Sequence, residues 1–168
     1  MRIRVRSARV QRAPAIRRFV VVSALLLALV AAGPAAGAKT YKIGQTAKTS
    51  DFKVTVFGIQ EPWVSTNQFD TPDPGTHYVA VDVQLKNTES EQQTFSSLLG
   101  YHLLDSKNRQ YDVGFGCIGL EPGAPEGEMP PKLPIRGFVC FQVPDGSTKL
   151  KLRVQGSITA AGSLFRLT

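Results

Sequence analysis

Residues 78–86 alternate between two kinds of side chain, and this most narrows what the chain can fold into. Val79, Val81, Val83 and Leu85 point one way, while Asp82, Gln84 and Lys86 point the other. A period of two belongs to the β-strand. One oily face and one polar face further specify a sheet buried on one side only, as antiparallel sheets commonly are. The pattern returns in Phe52, Val54 and Val56, and again in Leu150, Leu152 and Val154. Residues 101–105 and 110–113 read as short strands joined by a Ser106-Lys107-Asn108 turn. In residues 137–143, Val139, Phe141 and Val143 share one face while Phe138 and Cys140 occupy the other, which predicts a central strand covered on both sides. Residues 164–167 form either a last edge strand or a docked tail. Only residues 92–100 suit a short helical turn.

Breakers separate these pieces. Thr71-Pro72-Asp73-Pro74-Gly75 and Pro144-Asp145-Gly146-Ser147 are turn sequences. Residues 121–134 hold five prolines and two glycines, which predicts an irregular surface loop. About seven short strands with no connecting helices specify an all-β, immunoglobulin-like antiparallel β-sandwich. The immunoglobulin order of cysteine, tryptophan, cysteine is absent, because Trp63 precedes both cysteines.

The charge is distributed unevenly. Of twenty basic residues, seven arginines precede residue 39, and no acid lies there. An apolar run over residues 19–32 follows, then Gly33-Pro34 and Ala35-Ala36-Gly37-Ala38. A basic start, a short apolar stretch and small residues at the exit predict a signal peptide over residues 1–38, cleaved after Ala38. Retention as an anchor is the alternative, but the strongly apolar part falls short of the roughly 20 residues a spanning helix needs. The formal net charge of +7 thus belongs to the leader, and residues 39–168, the sandwich domain, carry thirteen basic and thirteen acidic residues. A nucleic-acid partner is not expected, since basic residues are scattered among acids. The one local cluster, Lys149 to Arg153, alternates with leucines and reads as the wet side of a strand. No membrane association is expected after cleavage.

Cys117 and Cys140 are the two cysteines, both in the exported part, where an oxidising compartment favours a structural disulfide. The expected bond pins residues 114–117 onto the strand containing Cys140. His77 and His102 lack ligand spacing to either thiol, so no zinc site is expected.

The ordered set of residues 78–87, Leu103-Leu104-Asp105-Ser106 with Tyr111, and residues 137–144 resembles the telokin-like extracellular domains of unknown function in bacterial secreted proteins. A secreted mycobacterial immunoprotective antigen shares that fold group. The resemblance covers roughly residues 42–154. It implies an immunoglobulin-like sandwich outside the membrane and brings no catalytic or ligand-binding residues with it. Asn87 and Asp105 read as turn-forming side chains at strand ends, and Pro144 as a strand stop.

Catalytic patterns are missing. There is no Gly-x-Ser-x-Gly elbow, no phosphate-binding loop and no dinucleotide fingerprint. Asp70, Asp73 and Glu61, like Glu121, Glu126 and Glu128, read as solvated loop charge without the EF-hand pattern. No catalytic residue, cofactor or metal ligand is therefore assigned. Trp63, Phe69 and Phe115 lie in or near non-strand segments, where an exposed aromatic marks a partner site and a buried one caps the core. The sequence points to a secreted, non-enzymatic interaction module for a protein or cell-envelope component. The alternatives are an accessory envelope protein without a specific ligand and, last, a hydrolase built from residues distant in sequence.

Overall fold

The computed structural model describes residues 39–157 and 162–168. The expected leader, residues 1–38, lies outside the described residues. In chain order the strands are β1 (Thr40–Lys42), β2 (Thr46–Thr49), β3 (Phe52–Trp63), β4 (Thr76–Asn87) and β5 (Gln93–Phe95). One turn of helix, α1 (Ser97–Gly100), comes next, then β6 (Tyr101–Leu104), β7 (Gln110–Asp112) and β8 (Gly127–Met129). The last three are β9 (Pro134–Pro144), β10 (Lys151–Val154) and β11 (Ser163–Arg166). One sheet has the order β1-β11-β10-β6-β7, the other β2-β3-β4-β9, and β5 pairs with β8 in a ribbon. The chain is an all-β sandwich, antiparallel in every ladder except β1 against β11, which is parallel.

The core lies between the two sheets where the alternation places it. Val54, Val56, Val79, Val81, Val83, Leu85, Val139, Phe141 and Val143 face Tyr101, Leu103, Leu152, Val154 and Phe165, all out of water. Each such valine or leucine contributes about 1.5–3 kcal/mol by leaving water. Phe95 on β5 closes one end, its ring 5.3 Å from Phe52 and 5.0 Å from Tyr101. Among the described residues the buried core draws on Ala47 to Leu167, all within the compact unit of residues 36–168.

Four expectations change. First, β3 runs past Val56 to Trp63, because bulges at Val56/Gly58 and Gln60/Trp63 reset the alternation that ends at Val56 in the sequence. Phe57 lies on the outer face, where the Arg136 guanidinium sits 3.9 Å from its ring, and past the bulge it is Ile59 that returns to the core.

Second, β9 is not central but the last strand of its sheet. Loops cover its free edge instead of a strand. The Phe138 N–H donates to the Pro122 carbonyl at 2.9 Å, and the Gly114 N–H to the Cys140 carbonyl at 2.9 Å. A Cβ at residue 137 would collide with the Gly123 carbonyl, so glycine there permits this close approach.

Third, residues 121–134 are not wholly irregular. They contain β8, and Met129 is fully buried. The Asn87 side chain holds this segment by donating to the carbonyls of Met129 (2.9 Å) and Glu91 (2.7 Å). Fourth, residues 164–167 overlap an interior strand, β11, flanked by β1 and β10. The short helical turn appears as α1, next to β5.

Candidate functional site

At the end of the sandwich where β3 stops and β4 begins, two loops lean on each other. One follows Trp63 and holds residues 64–75; the other holds residues 114–120. Asp70, 7% exposed, joins them. It accepts the Tyr78 hydroxyl at 3.0 Å through one oxygen and the Ile118 N–H at 2.6 Å through the other. The Ser65 hydroxyl donates to the Ile118 carbonyl at 3.2 Å, a second tie across the same gap. Burial, then the Asp70 hydrogen bond and charge, push the Tyr78 phenol above its ordinary range.

The sulfurs of Cys117 and Cys140 are bonded, with Cα atoms 6.1 Å apart, which fixes the second loop to β9. Tyr78, Cys117 and Cys140 form a small buried cluster on the outer side of the second sheet, with Trp63 and Leu120 packed against it. A Cβ at residue 116 would meet the Tyr78 ring, so Gly116 lets the loop settle on that ring.

The three aromatics singled out by the sequence divide here. Trp63 ends β3 half-buried, its ring 6.2 Å from that of Tyr78, and caps the cluster. Phe69 and Phe115 remain in solvent, 84% and 90% exposed. Phe115 lines a groove of about 300 Å³ with Leu98, Leu120, Phe138 and the disulfide. Val64 and Ile118, on the same two loops, are exposed as well, and sequence reasoning passed over both. Their loop positions carry no periodicity that would have marked them.

Residues 41–163 match the family model DUF4352, a domain of unknown function. The chain belongs to this family. Three solved structures show the same fold. The yjhA protein from Bacillus subtilis is 16% identical, covering 76% of this chain and 99% of its own, with a TM-score of 0.58. The secreted protein MPT63 from Mycobacterium tuberculosis is 12% identical, covering 78% and 98%, also with a TM-score of 0.58. A conserved hypothetical protein from Bacillus anthracis is 18% identical, covering 74% and 94%, with a TM-score of 0.54. No curated protein matches the chain.

The match places Trp63, Phe69, Phe115 and both cysteines within the DUF4352 domain. The histidines of this domain are engaged by carboxylates. His77 holds Asp145 Oδ1 at 3.0 Å on Nδ1 and Glu61 Oε1 at 3.4 Å on Nε2. His102 Nδ1 holds Asp112 Oδ1 at 2.9 Å. His77, Ser65 and Asp70 do line one groove of about 250 Å³. Even so, both His77 nitrogens face acids and the Ser65 hydroxyl faces a carbonyl, so the nucleophile-to-base contact of a hydrolase is not formed among them. Two of the loop acids are likewise occupied: Asp73 accepts Gln142 at 2.8 Å, and Glu126 accepts the Ser97 hydroxyl. Among the described residues no three His, Cys, Asp or Glu side chains could share a metal ion.

Proposed function

We propose that this DUF4352 domain is a secreted, non-enzymatic interaction module that presents Phe69 and Phe115 to a protein or cell-envelope component. In this reading residues 1–38 are the export leader and residues 39–168 the working domain. The observation that carries the reading is the exposure of two phenylalanines on loops that are otherwise tightly held. Leaving such side chains in water forgoes about 1.5–3 kcal/mol each. The Asp70 bonds and the disulfide order the surrounding backbone in advance, which reduces what a partner must immobilise on binding. Export is supported by the basic-then-apolar start of the sequence, by the disulfide, and by the likeness in fold to MPT63, described as a secreted protein.

Affinity capture by residues 39–168 from the producing cell's envelope and secreted fractions tests the reading, with Phe69→Asp/Phe115→Asp as the comparison. Both substitutions fall on exposed positions and leave the thermal midpoint near that of the wild type. A species retained by the wild type and lost by the double variant is expected. Identical capture profiles would refute the reading. The mass of the exported chain is a second readout and should equal that of residues 39–168.

A further inference from the structure

Strand pairing gathers cations that the sequence scatters. On the outer face of the first sheet, Lys42 of β1 stands opposite Arg166 of β11, and Arg166 stands opposite Lys151 of β10. Directly opposed residues share a face, and strands lie about 4.8 Å apart, so three positive side chains form one row about 10 Å wide. Lys149 adds a fourth from the exposed turn before β10. Its backbone is left-handed, with φ at +53°, a conformation strained for any residue with a Cβ. Lys149, Lys151 and Arg166, with Thr168, line an open groove of about 610 Å³.

Among the described residues, none of these four cations has a carboxylate within ion-pair distance. Among the described strand residues, the acidic side chain on this face, Asp112, lies on β7 at the far edge of the sheet and is held by His102 and Gln110. Arg153, one row along, turns toward Gln110 and is not counted with the four. Like charges set directly opposite one another work against strand pairing. The row is therefore a standing repulsion that an anion in the groove would relieve.

We infer that this groove binds a linear, phosphate-bearing polyanion. A concave site admits a chain but not a planar bilayer. A guanidinium fork flanked by ammonium groups suits successive phosphates, one by paired hydrogen bonds and the others as point charges. The groove lining contains no aromatic side chain, so it offers no platform for stacking nucleic-acid bases. This surface is independent of Phe69 and Phe115, so either reading can fail without the other.

The molecule contains its own comparison. Lys48, Lys53 and Lys86 form an equivalent row on the outer face of the second sheet. There the turn lysine whose backbone bonds to Asn87, Lys132, is occupied by the Thr88 carbonyl. The test is binding of linear inorganic polyphosphate to residues 39–168, titrated over a range of salt. Lys151→Glu/Arg166→Glu is expected to abolish binding. The milder Lys151→Gln/Arg166→Gln should lower the slope of log affinity against log salt by about two, one for each lost phosphate contact. Lys53→Glu/Lys86→Glu is expected to keep most of the affinity. Thermal midpoints verify that each variant is folded. The inference is overturned if the wild type ignores polyphosphate or if both rows lose binding equally. It is also overturned if phosphatidylglycerol vesicles or an oligonucleotide of equal charge bind where polyphosphate does not.

Discussion

Asp105 shows how one buried carboxylate organises a turn. It accepts the N–H groups of Lys107 at 2.8 Å and Arg109 at 2.9 Å, the Arg109 guanidinium at 2.6 Å and the Tyr111 hydroxyl at 3.1 Å. Burial alone would raise its pKa. The bonds from Arg109, Lys107 and Tyr111 outweigh that and bring it from 3.8 down to about 2. A pKa lowered by folding means that the ionised form stabilises the native state. That contribution is complete above the ordinary carboxylate range and is lost as pH falls through about 2. Denaturant midpoints measured from pH 7 to pH 2 should therefore show Asp105→Asn less stable than the wild type at neutral pH, with the gap closing below pH 4. A gap that stays constant to pH 2 would mean that the charge does not matter and that only the shape of the side chain does.

Cross-strand register acts at the next scale, and there the cation row makes a prediction of its own. Arg166 lies between Lys42 and Lys151, so Arg166→Glu turns two opposed repulsions into two attractions. Such pairs contribute about 0.2–1 kcal/mol each at exposed positions. The variant should be more stable than the wild type in urea at low salt, and the gain should shrink as salt rises. A destabilised variant would show that Arg166 has an attractive partner and that the row is not repulsive. The register itself lies outside what a single chain reveals. Alternation identified β4, β6, β7, β9 and β10 because each keeps one phase from end to end. The phase of β3 slips at Phe57 and Gly58, and only pairing with β4 shows that the strand continues to Trp63. The prolines around β8 concealed a strand that is ordered by Asn87 from forty-two residues away. The aromatic site was legible in part. Loop position identified Phe69 and Phe115, but the role of Asp70 depends on Ile118, forty-eight residues on, which no local pattern connects to it.

Taken as a whole, the molecule separates its stability from its presented surface. The core between the sheets excludes the cysteines, which belong to the smaller cluster outside β4 and β9. The bond between Cys117 and Cys140 closes a loop with a sequence separation of 23, and that loop contains both β8 and the proline-rich stretch. In the chain-entropy model such closure contributes about 3 kcal/mol, chiefly by restricting the unfolded chain. For a domain of about 130 residues this corresponds to roughly 10 °C in the thermal midpoint. Because the sheets pack without the bond, the reduced protein should stay folded at 25 °C with its β-rich circular dichroism intact, melting earlier. Hydrogen exchange should then quicken at Gly114 and Ile118 while Val81 and Leu103 remain protected, since only the former lie in the segment the bond holds down. Uniform loss of protection across both sheets on reduction would show instead that the outer cluster and the core unfold together.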